Sequence, residues 1–385
     1  MLAFSLLLAL VPQSPKPLAE LKFEMAGNRI YLPAVLNGRT TPAIFDTGAG
    51  ASAVDLKLAD DLKIPGEQKI QAGGVGAAAV TGRLLQSAKA DIGGQSHPIN
   101  FAIPFSSLNS AEGRPLEMIL GFDYINRYTF QIDYAAQTMR IYPANTIIPD
   151  SGTEIPIRIV TGHPHIRAKI GLGGQTHDVE AMIDSGASSG SLTGRFTQTV
   201  PIPSTVKSTP STIIGGGVGG FVSGRFIRLD SIDLNGLKVQ NPIATVTEAE
   251  GGANGSKANY DYLLGADVLK RFTLTLDYAN KRVFLKPNSE AGKPFEADKS
   301  GLRLLAGGSD LRSYTIAGVL PGSSSDQAGL KSGDILVSID GMAANSKSLQ
   351  EWRDYLRFSK QKTWTVIVDR KGEKIEAKLE VRPVI

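Results

Sequence analysis

Ala43-Ile44-Phe45-Asp46-Thr47-Gly48-Ala49 recurs, 138 residues further on, as Ala181-Met182-Ile183-Asp184-Ser185-Gly186-Ala187. Four more segments return in the same order. Gly73-Gly74-Val75-Gly76 is matched by Gly216-Gly217-Val218-Gly219, and Thr81-Gly82-Arg83-Leu84 by Ser223-Gly224-Arg225-Phe226. Ile119-Leu120-Gly121-Phe122-Asp123 is matched by Leu263-Leu264-Gly265-Ala266-Asp267, and Ile132-Asp133-Tyr134-Ala135 by Leu276-Asp277-Tyr278-Ala279. The offset drifts only from 138 to 144, as a few loop insertions in the second copy would give. Each copy is too long for a solenoid unit, whose period is about 20–50 residues, so the pattern is a duplicated domain.

Within each copy the chain reads as short strands between turns. Arg29 to Leu36 is extended and apolar-rich, and Asn37-Gly38 is a strong hairpin signal. Gly93-Gly94 and Asn235-Gly236 mark a further hairpin in each copy. Ala53 to Leu62 has helical spacing, and Tyr124 to Tyr128 and Val268 to Phe272 read as short helical turns. Pro143 to Thr153 joins the copies, and the polar, Pro-containing stretch Pro287 to Lys299 reads as a linker.

Composition sets the outer bounds. The 385 residues, 42% hydrophobic and 20% charged, suit two or three soluble globular domains. With 41 basic and 37 acidic residues the net charge is only +4, and no long basic run suggests nucleic-acid binding. There is no cysteine, which excludes disulfides, thiolate catalysis and cysteine-ligated metal. The 42 glycines stand well above the ~7% of average usage and point to a turn-rich β fold. Met1 to Val11 is an apolar run too short to span a bilayer, which takes about 20 residues. Its length suits a secretory leader over residues 1–20, although no basic residue precedes it. The expected location is therefore exported, periplasmic or secreted, with at most transient membrane association and no stable membrane span.

The chemistry lies in the repeated acid. A single Asp-[Ser/Thr]-Gly match arises by chance in about one chain of this length in five. Two matches, each after three apolar residues, each before Ala and each at the same place in a duplicated domain, do not. An ordinary turn, with Asp capping and Gly at positive φ, is the alternative. The apolar strand would hold the carboxylate on a rigid element, and Gly48 or Gly186 would let a loop backbone approach it. Thr47 and Ser185 would supply hydroxyls to lock the loops. Pairing the copies about a two-fold axis would bring Asp46 and Asp184 together, and carboxylates that close share a proton. A water between them can then lose a proton to one while the other protonates a carbonyl oxygen.

These residues resemble the retropepsin-like aspartic proteases, whose half-domain carries Asp-Thr-Gly-Ala, a glycine-rich flap and a later Ile-Leu-Gly-x-Asp. The resemblance covers about residues 25–287 and implies two fused β-rich halves, as in pepsin-like enzymes, with half-domains at 21–148 and 149–287. It implies Asp46 and Asp184 as catalytic residues, and Thr47, Gly48, Ser185 and Gly186 as support for the catalytic loops. Gly73, Gly74, Val75 and Gly76, with Gly216, Gly217, Val218 and Gly219, fall at the substrate-covering flaps. The chain departs from the family in its Ser185 and in lacking an aromatic residue at both flaps. A peptide or protein substrate is implied, with no cofactor and no metal. A rival reading is a peptide-binding or scaffold protein that keeps the fold without turnover.

After a linker at 288–298 the pattern changes. Gly318-Val319-Leu320-Pro321-Gly322-Ser323, then Gln327-Ala328-Gly329-Leu330-Lys331-Ser332-Gly333-Asp334-Ile335-Leu336 and Ile339-Asp340-Gly341, resemble a PDZ domain of the bacterial protease type over 299–385. Such domains take a peptide C-terminus as an added strand, with its carboxylate on backbone N–H groups. Gly301, Leu302, Arg303 and Leu304 fall at that carboxylate loop, and the helix from Ser348 to Leu356 at the opposite wall of the groove. Leu349 and Trp352 read as core residues. His163 and His165 alternate on a strand and read as exposed residues rather than a metal site. The run Ile213 to Gly220 lacks the Gly-Lys-[Ser/Thr] ending of a phosphate-binding loop. The expected architecture is mainly β: a pseudo-two-fold acid protease of two retropepsin-like halves, then a PDZ domain.

Overall fold

The computed structural model describes residues 15–248 and 250–385. The apolar run at the N-terminus, Met1 to Val11, lies outside the described residues. Among the described residues the amide of Leu18 donates to Ile141 O at 2.7 Å, and Ala19 and Glu20 pair with Ile141 and Arg140.

The longest strands show how the sequence makes its sheets. His163–Leu172 and Gln175–Ile183 pair antiparallel around Gly173 and Gly174, which take positive φ. Two such residues give the turn whose twist suits a two-residue hairpin. Ile166, Ala168 and Ile170 are buried while Arg167 and Lys169 are exposed, the two-residue period of a half-buried strand.

Each half places its acid in the same way. In the first, Ala43–Phe45 runs parallel to Met118–Leu120, which is antiparallel to Ala53–Asp55. In the second, the end of Gln175–Ile183 runs parallel to Tyr262–Leu264, which is antiparallel to Gly190–Leu192. All three residues of Ala43–Phe45 are buried, so the strand is fixed from every side before the chain reaches Asp46. The helical stretch expected from Ala53 begins only at Leu56 and runs to Asp61, because Ala53–Asp55 is drawn into the sheet by Phe101–Ile103. The two short helices, Phe122–Ile125 and Ala266–Leu269, each start directly after the glycine of the Leu-Gly pair.

A six-stranded sheet joins the halves. Its order is Ala19–Lys22, Thr138–Pro143, Tyr128–Asp133, Phe272–Asp277, Arg282–Pro287 and Thr153–Pro156. The central pair, Tyr128–Asp133 against Phe272–Asp277, takes one strand from each copy. One apolar core runs through both halves and includes Phe45, Phe130, Ile132, Leu274 and Leu276.

The C-terminal domain has its own five-strand path, Leu302–Gly307, Ser313–Val319, Ile335–Ile339, Thr363–Arg370 and Glu373–Glu380. Its helix Leu349–Phe358 opens with a capping box, Ser348 and Glu351 bonding reciprocally. Leu349, Trp352 and Leu356 face a separate core with Trp364. The domain packs against the protease halves through the helix Ser106–Glu112, called here the wall helix.

Phe130 is fully buried and meets the rings of Phe45, Tyr124 and Tyr128. Phe130→Ala is expected to destabilise the chain by about 3–5 kcal/mol, the range for emptying an aromatic core site. Urea unfolding of the two forms checks this. A loss below about 1 kcal/mol would mean that the shared sheet is not where the halves are held.

Candidate active site

The Asp46 amide donates to Leu120 O and the Asp184 amide to Leu264 O, both at 3.0 Å. The following turns are tied to the Leu-Gly elements as well, through Phe122 N to Ala49 O at 2.9 Å and Ala266 N to Ala187 O at 2.8 Å. Each carboxylate is then gripped by its own loop. Asp46 Oδ1 accepts from Gly48 N at 2.8 Å. Asp184 Oδ1 accepts from Gly186 N at 2.8 Å and Ala187 N at 2.9 Å.

The hydroxyls cross between the copies. Thr47 Oγ1 donates to Ile183 O at 2.9 Å and accepts from Ser185 N at 2.9 Å. Ser185 Oγ donates to Phe45 O at 2.8 Å and accepts from Thr47 N at 3.1 Å. Both side chains are buried. The four bonds hold the two acid-bearing loops face to face, so that each glycine packs on the other half's acid. A Cβ on Gly48 would lie 2.4 Å from Asp184 Cγ, and one on Gly186 would lie 2.3 Å from Asp46 Cγ. Only glycine allows that approach.

Asp184 is buried and Asp46 half-buried, both at the floor of one cavity of about 850 Å³. Burial pushes both carboxyls above the ordinary range, and repulsion from Asp184 pushes Asp46 further, to well above it. Arg29 opposes the rise in both. Its Nε donates to Gly186 O at 2.5 Å, and its Nη1 pairs with Glu112 of the wall helix at 2.7 Å. Neither Arg29 nor Glu112 stands out in the sequence. They are 83 residues apart and meet only because the wall helix folds over the strand Arg29–Leu32.

The glycine-rich segments form the roof. Gly73 to Gly76 lie in the turn between Lys69–Ala72 and Val80–Leu84, which we call flap 1. Gly216 to Gly219 lie at the tip of the hairpin Thr212–Gly217 and Gly220–Arg228, flap 2. The tips touch: Gly76 N donates to Val218 O at 3.0 Å and Ala78 N to Gly219 O at 3.3 Å. Both flaps line the cavity that holds the two acids.

The exposed reading of the two strand histidines is corrected. His165 is 1% exposed rather than on the surface, with Nδ1 2.8 Å from Glu180 Oε1 and its ring edge-on to Tyr260. His163 is half-buried and lines the cavity. Of the residues expected at the PDZ carboxylate loop, Gly301 directly precedes the PDZ edge strand, and Leu302, Arg303 and Leu304 begin it; the Arg303 guanidinium stacks 4.6 Å over Phe226 of flap 2.

This fold and site define an aspartic-protease-type protein with an appended PDZ domain. The sequence model of the aspartyl protease family matches residues 32–124 and 166–268, and a PDZ domain matches residues 315–370. The chain belongs to the aspartyl protease family. DNA damage-inducible protein 1 of Chaetomium globosum is 30% identical over 135 residues, 33% of this chain and 26% of that protein. The UBA domain-containing protein Mud1 of Schizosaccharomyces pombe is 30% identical over 153 residues, 37% of this chain and 42% of that protein. The matches thus span less than half the length of either relative.

The interlock gives a double-mutant test. Thr47→Val keeps the shape but leaves Ser185 N and Ile183 O without partners, at a cost of about 1–3 kcal/mol. Combined with Ser185→Ala, the unfolding free energies should be non-additive by about 0.5–3 kcal/mol. Strict additivity would show that the two hydroxyls act independently.

Proposed function

We propose that the chain is an aspartic endopeptidase that hydrolyses peptide bonds with a water activated between Asp46 and Asp184. One observation carries the reading: two acids from two copies share one cavity floor, each gripped by its own loop and cross-locked to the other. A binding module has no use for a second buried carboxylate, because a lone buried charge is costly and a pair more so.

The steps follow from the pair's shared proton. The ionised carboxyl takes a proton from the water, and the protonated one gives its proton to the carbonyl oxygen as the tetrahedral intermediate forms. The carboxyl that took the water's proton then gives it to the amide nitrogen while a diol O–H passes its proton to the other carboxylate, so the C–N bond breaks to a carboxylic acid and an amine and the pair again holds one proton. No covalent enzyme intermediate and no cofactor enters the scheme. The flaps meeting over the cavity support the exclusion of bulk water while this proceeds. The substrate is a peptide or a protein segment in extended form. The PDZ domain is read as a peptide-binding module for the C-termini of substrates or partners. We also propose an exported location, supported by the apolar run Met1 to Val11.

Asp46→Asn and Asp184→Asn should each lower kcat by at least about a thousandfold while the fold is kept, since each removes one half of an acid–base pair. Turnover within tenfold of wild type in either variant would contradict the mechanism.

The pH profile is a separate check. Activity needs one proton on the pair, which titrates as a unit. Because burial and mutual repulsion raise the carboxyls, that proton is held to higher pH than an ordinary Asp of pKa about 3.9 would hold it. A plot of kcat/KM against pH should be bell-shaped, with its basic limb well above pH ~4. A basic limb at or below that value would contradict the electrostatics.

A further inference from the structure

A PDZ groove recognises its ligand with two sets of backbone groups: the free edge of one strand, and the N–H groups of the loop before it. Among the described residues, Leu302–Gly307 pairs on one side only, with Ser313–Val319, so its other edge is the one open to a ligand strand. Across from that edge stands the helix Leu349–Phe358.

Both sets are already in use. In the loop, Asp298 Oδ1 accepts from Ser300 N at 3.0 Å and from Gly301 N at 2.6 Å. Leu302 N donates to Ser300 Oγ at 3.0 Å. An internal carboxylate thus already holds the Gly301 N–H at the head of the expected carboxylate loop, and an internal hydroxyl holds that of Leu302. On the edge, Leu304 O and Ala306 O point the same way, being two residues apart on a strand. Ala306 O accepts from Ser110 Oγ of the wall helix at 2.6 Å, and Leu304 O accepts from Arg353 at 3.4 Å. The same Arg353 nitrogen donates to Ala111 O of the wall helix at 2.7 Å. Gly113, just past that helix, packs against the Leu349 side chain.

The wall helix also touches the catalytic cavity. Leu108 and Glu112 line it, and Glu112 pairs with Arg29, which bonds the Asp184 loop. Ser107 Oγ donates to Gly217 O of flap 2 at 2.9 Å. A second contact runs straight from the PDZ domain to flap 2, where Arg303 stacks on Phe226. The PDZ edge strand, the wall helix and flap 2 are thus three layers in contact.

We propose that the wall helix is the resident intramolecular ligand of the PDZ groove, and that a partner chain ending in a free carboxylate competes with it there and loosens flap 2 above the acids. The incoming carboxylate replaces that of Asp298 on the loop N–H groups. The incoming strand takes Leu304 O and Ala306 O from Arg353 and Ser110. Competition is reciprocal, so whatever loosens the wall helix also opens the groove. This rests on the PDZ reading above, but not on catalysis, and it can be tested in a chain that cannot cleave.

The test is hydrogen exchange on the full chain carrying Asp46→Asn. Adding Ser110→Ala and Arg353→Ala should speed exchange of the flap-2 amides, residues 212–228, by about tenfold or more, since a charge-assisted bond and a neutral one are lost. Exchange in Thr363–Arg370 reports whether the PDZ core stays folded. Unchanged flap-2 exchange with a protected PDZ core would overturn the proposal. Asp298→Ala gives a second arm that leaves the latch contacts in place. A pool of decapeptides with free C-termini should bind this variant about tenfold more tightly than the Asp46→Asn parent, while the same pool amidated should show no gain. The free pool bound to the parent should also speed flap-2 exchange. No preference for the free carboxylate in Asp298→Ala, or binding to the parent without any change at flap 2, would equally overturn it.

Discussion

Thr47 and Ser185 each reach across the pseudo-two-fold axis and bond the backbone just ahead of the other copy's acid. Everything chemical in the molecule depends on that crossing. Two carboxylates repel, and burial adds to the cost of ionising either. They stay together because the loops carrying them are locked by four buried hydrogen bonds and backed by strands buried on all sides. The repulsion is not a defect of the design. With burial it raises Asp46 well above the ordinary range, and burial raises Asp184 as well, the direction that the proposed acid–base attack on an amide requires.

The duplication is symmetric where the acids are held and asymmetric around them. Asp123 and Asp267 are equivalent in the repeat but differ in chemistry. Asp123 is half-buried, yet hydrogen bonds from His97 and Ser52 hold it below the usual carboxylate range. Asp267 is buried with backbone rather than side-chain hydrogen bonds, and burial pushes it up to about 7. The Arg29–Glu112 pair and His163 also line the cavity, and neither belongs to the repeated motifs. A fused chain lets each side of a cleft diverge in this way, which two identical chains cannot do. The PDZ domain exploits the difference by docking on the wall helix of the first copy.

Much of this was legible in the sequence because it is local or repeated. Asp46-Thr47-Gly48 and Asp184-Ser185-Gly186 carry their chemistry within three residues, and repetition lifts them above chance. Turns at Asn37-Gly38, Gly93-Gly94 and Asn235-Gly236 are set by backbone conformation and emerge as hairpins. What was not legible depends on contacts between distant segments. Arg29 and Glu112 are ordinary surface residue types until the fold brings them together. His165 looks exposed on a strand because alternation alone cannot reveal that Glu180 and Tyr260 enclose it. Likewise nothing local in the stretch after Pro287 signals that Asp298 holds the Gly301 amide or that Ser110 meets Ala306.

The central claim is that the paired acids cut peptide bonds. Its most direct test is digestion of a diverse peptide library by the full chain, with new termini mapped by mass spectrometry and the Asp46→Asn protein as a parallel control. The account predicts a reproducible set of internal cleavage sites with wild type and none with the control. An intact, folded wild-type chain that produces no new termini at any pH would contradict it and leave a binding protein on a protease fold.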